Sequence, residues 1–371
     1  MLARHPDNEG WTKLTLQGGS EYAAYFWVGT PAQMQVLHID TGSRFTWLQC
    51  KPCPECHKQN LPVFDPSKSI TYDELPCNSS TCKQQDMDDI FQDCTKGSCK
   101  YFKGYGDNSI SIGTVVSESL TFILSNIAVS NFVMGCGLWN EGLFSEHITG
   151  ILGLGRGPFS LQNQMNATGF SLCLISPTSK TTSSLNVYGS PLNGYGNTSI
   201  VVPLRDTDQR YSSFYLVEFT GIAINGWTLD IPSKVWGFGY DGGVVIDTGS
   251  TLTYFPTDAY KVFRLEIERE TQNLTRKPSE ADMEFCYMDD PLNVYPVIEL
   301  YFENGSDHGE FLTSLTLTKE QMLWKLKGKV CLAFAEEKGS ARTTIGNHQL
   351  YGTRLTFDLK QQVLVFTPND C

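Results

Sequence analysis

The tetrapeptide Asp-Thr-Gly-Ser occurs twice in this chain, at Asp40-Thr41-Gly42-Ser43 and again at Asp247-Thr248-Gly249-Ser250. Each copy follows an isoleucine. Three positions after its serine, each copy continues with a threonine and then an aromatic residue, which is Trp47 in the first copy and Tyr254 in the second. The copies lie more than half of the 371-residue chain apart. This spacing predicts one copy in each half of a duplicated chain.

A second repeated element supports the duplication. Gly150-Ile151-Leu152-Gly153 follows the first copy, and Thr344-Ile345-Gly346-Asn347 follows the second at a similar distance. The length also favours two domains of about 100–200 residues each. We therefore expect an N-terminal lobe over residues 1–177 and a C-terminal lobe over residues 178–371, connected through the polar stretch 177–197.

Strand patterns dominate the chain. Short β-branched or aromatic runs lie between clusters of Gly, Pro, Asn and Ser. They are Glu21–Val28, Gln35–Ile39, Leu120–Leu124, Phe132–Met134, Ser199–Pro203, Tyr215–Ile224, Gly243–Ile246, Arg354–Phe357 and Val363–Phe366. The best helical pattern runs from Asp258 to Glu270, with Thr257 as the expected N-cap and Ala259, Tyr260, Phe263 and Ile267 on one face. The predicted fold class is mostly β.

Composition and charge narrow the function classes. A hydrophobic content of 40% with 18% charged residues is typical of a soluble globular protein. The net charge of −12 disfavours nucleic acid and anionic membranes as partners. No stretch has the apolar length of a membrane span. We expect neither a membrane span nor a nucleic-acid partner.

The cysteines and glycosylation sequons point to the secretory pathway. Seven of the twelve cysteines fall between Cys50 and Cys99, in a polar stretch that reads as a loop-rich, disulfide-stapled insertion. The start of the chain lacks the apolar core of a secretory signal, so we expect a mature chain whose signal has been removed. The five candidate N-glycosylation sites are Asn78, Asn166, Asn197, Asn273 and Asn304. A secreted or vacuolar location is expected.

The repeated tetrapeptide also suggests a chemical function for its two aspartates. If the two loops faced each other, the serines could donate hydrogen bonds to the outer carboxylate oxygens and the threonines could bond across to the opposite loop. The glycines would permit tight turns. Two carboxylates about 3 Å apart cannot both ionise cheaply, so they share one proton and can activate a water without a metal. The alternative is that Asp-Thr-Gly is only a turn. Two copies in matching contexts favour a site.

The chain resembles the pepsin-like aspartic endopeptidases, and within them the plant nepenthesin-type branch. The resemblance rests on both Asp loops, on Trp47, on Tyr105-Gly106-Asp107-Asn108-Ser109 where the family has its β-hairpin flap, and on Gly150–Gly155. The Cys-rich insertion at 50–99 and the terminal Cys371 also match. The resemblance implies a bilobal fold of two related β-barrel-like lobes with an active-site cleft between them.

The resemblance also implies residue roles. Asp40 and Asp247 would form the catalytic pair, Tyr105 would close over a bound extended peptide and bond to Trp47, and no cofactor or metal would be needed. A monomer is expected. The implied disulfides are Cys50–Cys53, Cys56–Cys136, Cys77–Cys99, Cys82–Cys94, Cys173–Cys371 and Cys286–Cys331. Sequence alone cannot establish pairing, and a zinc site at Cys50-x2-Cys53-x2-Cys56 remains an alternative.

Some residues depart from the family pattern. Asn108 stands where the flap has a second glycine, and asparagine tolerates positive φ better than most residues. His38 replaces an apolar residue, and Arg44 follows the first copy. The predicted function is acid-optimal peptide hydrolysis. The alternative from another class is a catalytically silent homologue that binds proteins as an inhibitor or recognition glycoprotein.

Overall fold

The computed structural model describes residues 9–17, 20–83, 90–91, 97–192, 194–196, 198–206, 213–237, 243–303 and 313–371. Three residues named above, Cys94, Asn197 and Asn304, lie outside this set.

The described chain is mostly β. The strands up to residue 188 are β1 Gly10–Gln17, β2 Glu21–Val28, β3 Gln33–Asp40, β4 Trp47–Gln49, β5 Asp73–Glu74, β6 Ile90–Phe91, β7 Lys100–Gly104, β8 Ile110–Phe122, β9 Ala128–Glu141, β10 Gly150–Gly153, β11 Gly169–Cys173 and β12 Ser183–Tyr188. The remaining strands are β13 Ile200–Arg205, β14 Leu216–Val217, β15 Phe219–Ile224, β16 Trp227–Thr228, β17 Val244–Asp247, β18 Thr253–Pro256, β19 Arg276–Lys277, β20 Cys286–Met288, β21 Ile298–Phe302, β22 Thr313–Thr316, β23 Leu323–Leu326, β24 Lys329–Leu332, β25 Phe334–Glu337, β26 Thr343–Gly346, β27 Thr353–Asp358 and β28 Val363–Pro368.

Among the described residues, helices are few and mostly short. The α-helices are α1 Leu161–Gln164, α2 Thr257–Glu270 and α3 Lys319–Met322, and 3₁₀ turns cover Pro66–Lys68, Ser233–Val235 and Asn347–Leu350. Helix α2 buries Ala259, Tyr260, Phe263 and Ile267, the face that the periodicity predicts. The expected N-cap was wrong. Pro256 holds that position, and Thr257 donates its hydroxyl proton to Glu336 at 2.7 Å, because a tertiary acceptor competes with the local cap.

The chain folds as two compact units. Unit 1 consists mainly of the chain up to Phe170, and unit 2 mainly of Phe214–Cys371. In unit 1, β2 pairs antiparallel with β1, β3 and β8, and the long β8 pairs with β7 and β9. In unit 2, β15, β16, β21 and β22 form one four-stranded sheet, and β19, β20, β23 and β24 form another.

Each unit has its own aromatic core. In unit 1, Phe26 packs edge-on to Phe122 at 5.2 Å between ring centroids. In unit 2, Phe255, Phe263 and Phe334 pack against one another, with ring centroids 5.1–5.7 Å apart. Burying several aromatic side chains of this size contributes much of each unit's stability, since each buries about 150–250 Å².

The chain crosses between the units more than once in the stretch where we expected a connection. Ser171–Thr181 belong to unit 2, whereas Thr182–Leu192 return to unit 1. The return occurs because β12 pairs antiparallel with β1, with Leu185 opposite Thr12. Partners so distant in sequence leave no local signal, so the sequence suggested only a polar connection there.

Two of the implied disulfides, Cys173–Cys371 and Cys286–Cys331, are present. Four implied pairings were wrong: Cys50–Cys53, Cys56–Cys136, Cys77–Cys99 and Cys82–Cys94. The bonds found instead are Cys50–Cys136, Cys53–Cys56 and Cys82–Cys99, and Cys77 is also disulfide-bonded.

Strand pairing is the physical cause of the Cys50–Cys136 bond. Strand β4 lies parallel to β9, with Leu48 opposite Cys136, and this brings Cys50 within 5.3 Å of Cys136 between Cα atoms. The order of the cysteines along the chain does not show which strands are neighbours. The Cys50-x2-Cys53-x2-Cys56 thiols are all used in disulfides, which removes the zinc ligands of the alternative reading.

Two further findings bear on function. Among the described residues, no helix has the length and apolarity needed to cross a bilayer. Over the same ranges, no group of three or more His, Cys, Asp or Glu side chains is arranged to hold a metal ion.

Candidate active site

The first Asp loop begins where β3 ends. Asp40 is the last residue of the strand and is 6% exposed. One of its carboxylate oxygens accepts a hydrogen bond from the Gly42 backbone N–H at 2.7 Å, and the other accepts one from the Ser43 hydroxyl. Thr41 is fully buried between them. The loop therefore orients both oxygens of a mostly buried carboxylate.

The second Asp loop has the same construction. Asp247 ends β17, and its Oδ1 accepts from the Gly249 N–H at 2.9 Å while its Oδ2 accepts from the Ser250 hydroxyl at 2.7 Å. Thr248 is again fully buried, whereas Asp247 and Ser250 are half-buried. Two segments far apart in sequence thus form the same hydrogen-bonded turn.

A glycine-ended strand supports each loop. Strand β10 lies parallel to β3 with Gly153 opposite Asp40, and β26 lies parallel to β17 with Gly346 opposite Asp247. A Cβ on Gly153 would come within 2.6 Å of the Phe45 backbone nitrogen. Only glycine permits this approach. In each unit, the second repeated element thus lies directly beside the Asp loop.

Each loop is also tied to its support by a threonine that we had not placed in the site. The hydroxyl of Thr46 accepts the Gly153 N–H at 3.0 Å, and that of Thr253 accepts the Gly346 N–H at 3.2 Å. Both threonines are fully buried. Their signal was present in the sequence, because each lies at the same position after its Asp-Thr-Gly-Ser.

The flap motif forms a hairpin turn between β7 and β8. Gly104 lies opposite Ile110, and the Tyr105 N–H donates to the Ser109 carbonyl at 2.9 Å. Asn108 has φ of 66°, so the expectation that asparagine takes the left-handed conformation here is confirmed. Asp107 accepts from the backbone and hydroxyl of Ser109 at 2.9 and 2.8 Å, which stabilises the turn.

The hairpin is held to β4, the strand that follows the first Asp loop, by a hydrogen bond and by aromatic packing. The indole Nε1 of buried Trp47 donates to the Tyr105 hydroxyl at 2.6 Å. Phe144 packs edge-on to both rings, at 5.3 Å from Trp47 and 6.0 Å from Tyr105. Sequence reasoning missed Phe144, since no motif marks it. The hydrogen bond itself is the one that the resemblance implied.

The equivalent position in unit 2 is chemically different. Tyr254, which corresponds to Trp47, is half-buried and donates to Asp282 at 3.4 Å. Burial, and secondarily the negative charge of Asp282, raises the pKa of Tyr254 to about 12. Its hydroxyl therefore stays protonated at acidic and neutral pH. With a tyrosine rather than an indole next to the second loop, the surroundings of the two Asp loops are similar but not identical.

Comparisons with known proteins agree with this architecture. A family model for the N-terminal part of xylanase inhibitors matches residues 22–189, and one for the C-terminal part matches residues 214–368. The chain is 36% identical to Protein ASPARTIC PROTEASE IN GUARD CELL 2 of Arabidopsis thaliana, covering 96% of this chain and 73% of that protein. It is 30% identical to aspartic proteinase nepenthesin-1 of Nepenthes gracilis, with 95% and 79% covered.

Solved structures show the fold. The crystal structure titled edgp superposes with a TM-score of 0.78 at 20% identity, covering 99% of this chain and 96% of that one. Two units, each with an Asp-Thr-Gly-Ser loop on a mostly β framework, define the pepsin-like class. Within that class, the chain belongs to the plant aspartic proteinase family of the nepenthesin type.

Proposed function

We propose that this chain is an aspartic endopeptidase that hydrolyses peptide bonds at acidic pH, with Asp40 and Asp247 as its catalytic pair. The observation that supports this most is the identity of the two loops. In each, a backbone N–H and a serine hydroxyl donate to the two oxygens of the aspartate. The backbone bond alone is an ordinary Asx turn, but in both units a serine hydroxyl also holds the second carboxylate oxygen.

The chemistry follows from carboxylates that share a proton. Paired carboxylates cannot both ionise cheaply, and the aspartic-protease dyad is the standard example of this behaviour. The ionised member takes a proton from a water, which then attacks the scissile carbonyl carbon, while the protonated member polarises the carbonyl oxygen. The leaving amine is protonated as the tetrahedral intermediate collapses. We assign the base role and the acid role to the pair and not to one aspartate each, because two strongly coupled carboxylates titrate as a unit.

The flap supplies substrate binding in this proposal. Tyr105, held by Trp47, would close over an extended peptide, and strand-like main-chain hydrogen bonds would give much of the affinity. We infer that the substrate is an extended peptide or protein segment. No cofactor or metal enters the mechanism.

The test is digestion of acid-denatured globin between about pH 2.5 and pH 6, a range that spans the titration of a carboxylate pair. Disulfide-intact protein should cleave globin, and a statine-type inhibitor should block the cleavage. Asp40→Asn and Asp247→Asn should each abolish it. Asp258→Asn, on the exposed first turn of α2, is the matched control and should retain activity. Absence of inhibitor-sensitive cleavage throughout this range would overturn the proposal.

A second candidate is a protein-binding homologue without catalysis. It is favoured by one observation, that both matching family models describe xylanase inhibitors. The discriminating measurement is titration of this chain against a xylanase by calorimetry. Saturable binding without any peptide cleavage would favour this candidate, whereas cleavage without binding would exclude it.

We also infer a secreted or vacuolar monomeric glycoprotein. The support is the density of disulfides, which persist in oxidising compartments, and the exposure of the described sequon asparagines. These exposed asparagines are Asn78, Asn166 and Asn273. Sedimentation of the protein purified from a plant secretory system would test the monomer, and localisation of a tagged full-length protein would test the compartment.

A further inference from the structure

Two segments of unit 1 are joined beside the flap. One, the insertion segment, is residues 57–61 of the Cys-rich region. The other, the Phe144 loop, is residues 142–148. Lys58 forms an ion pair with Glu146 at 2.5 Å, and the Asn60 N–H donates to the Glu146 carbonyl at 2.8 Å. Asn60 also contacts His147 at 3.1 Å. The insertion segment is thus joined to the Phe144 loop at Glu146 and His147.

His57 adds a half-buried contact to this junction between the insertion segment and the Phe144 loop. Its Nε2 lies 3.2 Å from the Ile148 carbonyl oxygen, which can only accept. Buried Gln49, on β4, donates to the His57 carbonyl at 3.0 Å. The Cys53–Cys56 disulfide closes a tight loop immediately before His57. The histidine is therefore anchored to the strand that also carries Trp47.

Phe144 connects His57 to the flap. The Phe144 ring lies 5.1 Å from the His57 ring, at 37° between their planes, and it also packs edge-on to Trp47 and Tyr105. A displacement of His57 would therefore reach the tyrosine hydroxyl through one intervening side chain. The hydrogen bonds that form the Asp loops and the flap hairpin do not by themselves explain why Phe144 packs against His57.

The junction depends on which form of His57 is present. With a proton on Nε2 the neutral ring donates to Ile148, while Nδ1 is buried and has no hydrogen-bond partner among the described residues. Protonation would place a second N–H donor there without an acceptor, in a half-buried position. Burial accordingly lowers the pKa of His57, and the hydrogen bond with Ile148 only partly offsets it.

The charged and titratable groups facing His57 do not supply that acceptor. On its own segment, Lys58 is exposed and paired with Glu146 of the opposing loop. His147 is exposed and contacts Asn60. Phe144, on the remaining side, is apolar. The present geometry therefore disfavours a charged His57. Protonation would favour a looser junction between the insertion segment and the Phe144 loop.

We propose that His57 is a positioning residue for the flap, which through Phe144 fixes Tyr105 against Trp47, and that its protonation in acid releases this support. The insertion then has a role beyond stapling the fold, because it makes flap mobility depend on pH. The effect of a looser flap on peptide turnover rests on the proposed function, whereas the coupling of His57 to the flap is independent of it.

The experiment is hydrogen–deuterium exchange of peptides covering residues 101–113. Wild type, His57→Gln, His57→Ala and His147→Gln are compared at about pH 7 and about pH 4, which bracket the unperturbed histidine pKa. Comparing variants at the same pH cancels the intrinsic pH dependence of exchange. Glutamine keeps a donor for Ile148 but cannot be protonated. His147→Gln is the matched control in the same junction.

We expect wild type and His57→Gln to exchange equally at neutral pH, and wild type to exchange several-fold faster than His57→Gln in acid. His57→Ala should exchange faster at both pH values, and His147→Gln should follow wild type. Equal exchange of wild type and His57→Gln at both pH values would overturn the proposal, as would a His147→Gln that behaves like His57→Gln.

An activity measurement separates this proposal from the proposed function. If the chain cleaves peptides, the KM of His57→Gln should change less with acidification than that of wild type, with kcat altered little. If wild type cleaves nothing while the exchange pattern holds, the proposed function fails and the positioning role of His57 stands.

Discussion

His348 makes a quantitative prediction about acid stability. It follows the second repeated element, is 4% exposed, and packs between the rings of Trp324 and Tyr351 at 5.3 and 4.6 Å. Burial lowers its pKa to about 4, and the nearby Leu323 backbone opposes this shift only in part. A neutral histidine is therefore built into unit 2, close in sequence to Gly346.

The sign of the effect follows from proton binding. Above the ordinary histidine pKa of about 6.5, both folded and unfolded His348 are neutral. As the pH falls from there towards 4, the unfolded form takes up a proton that the folded form excludes, so stability is lost. A shift from 6.5 to about 4 corresponds to about 3 kcal/mol of unfolding free energy, and the loss is complete below the folded pKa.

The perturbation is His348→Phe, which keeps the ring contacts and cannot be protonated. At about pH 7.5 we expect it to be neutral or to destabilise by about 1 kcal/mol through overpacking. At about pH 4 it should be more stable than wild type, so that the difference between the two changes by up to about 3 kcal/mol over this range.

The assay is non-reducing urea unfolding at several pH values, in an Asp40→Asn background that prevents self-digestion. His147→Phe, at an exposed histidine, is the control and should leave the wild-type pH dependence in place. Parallel curves of unfolding free energy against pH for wild type and His348→Phe would refute the reasoning.

Three further predictions follow from the site and the surface. Ser43→Ala removes the hydroxyl donor to Asp40 and should lower kcat/KM by about 10- to 100-fold, the loss typical of a hydrogen bond to a charged group; a change below about threefold in peptide assays would contradict this. Gly346→Ala should give no folded protein by circular dichroism, because its methyl group would overlap the Leu252 carbonyl, whereas Gly196→Ala should fold normally because its nearest neighbour is Ser199 at 3.6 Å. Protein from a eukaryotic secretory host should lose mass on deglycosylation, and mass spectrometry should find the modification at the exposed sequons Asn78, Asn166 and Asn273.

The repeated motifs made much of the fold predictable. Asp40 and Asp247 each end a strand, and a strand of the second repeated element lies parallel beside each, so the repeat in the sequence corresponds to a repeat in the structure. Periodicity also identified the buried face of α2. These features are encoded locally, in residue types whose physical roles do not depend on distant partners.

Features that depend on distant partners were not predictable. Cys50 pairs with Cys136 because β4 lies beside β9, and no spacing rule reports that contact. Strand β12 looked like a connection because its partner β1 lies at the other end of unit 1. Phe144 carries no motif, and only the packing of three rings around it reveals its place beside the flap.

The bond between Cys173 and Cys371 has a consequence for how this chain would respond to being cut. It joins residues 198 positions apart, so nearly the whole of unit 2 lies within one covalent ring. One peptide-bond cleavage inside the ring therefore releases no fragment. A nicked molecule would migrate as a single chain on a non-reducing gel and as two pieces after reduction. Maturation into a two-chain form would thus leave the second Asp loop covalently attached to the first.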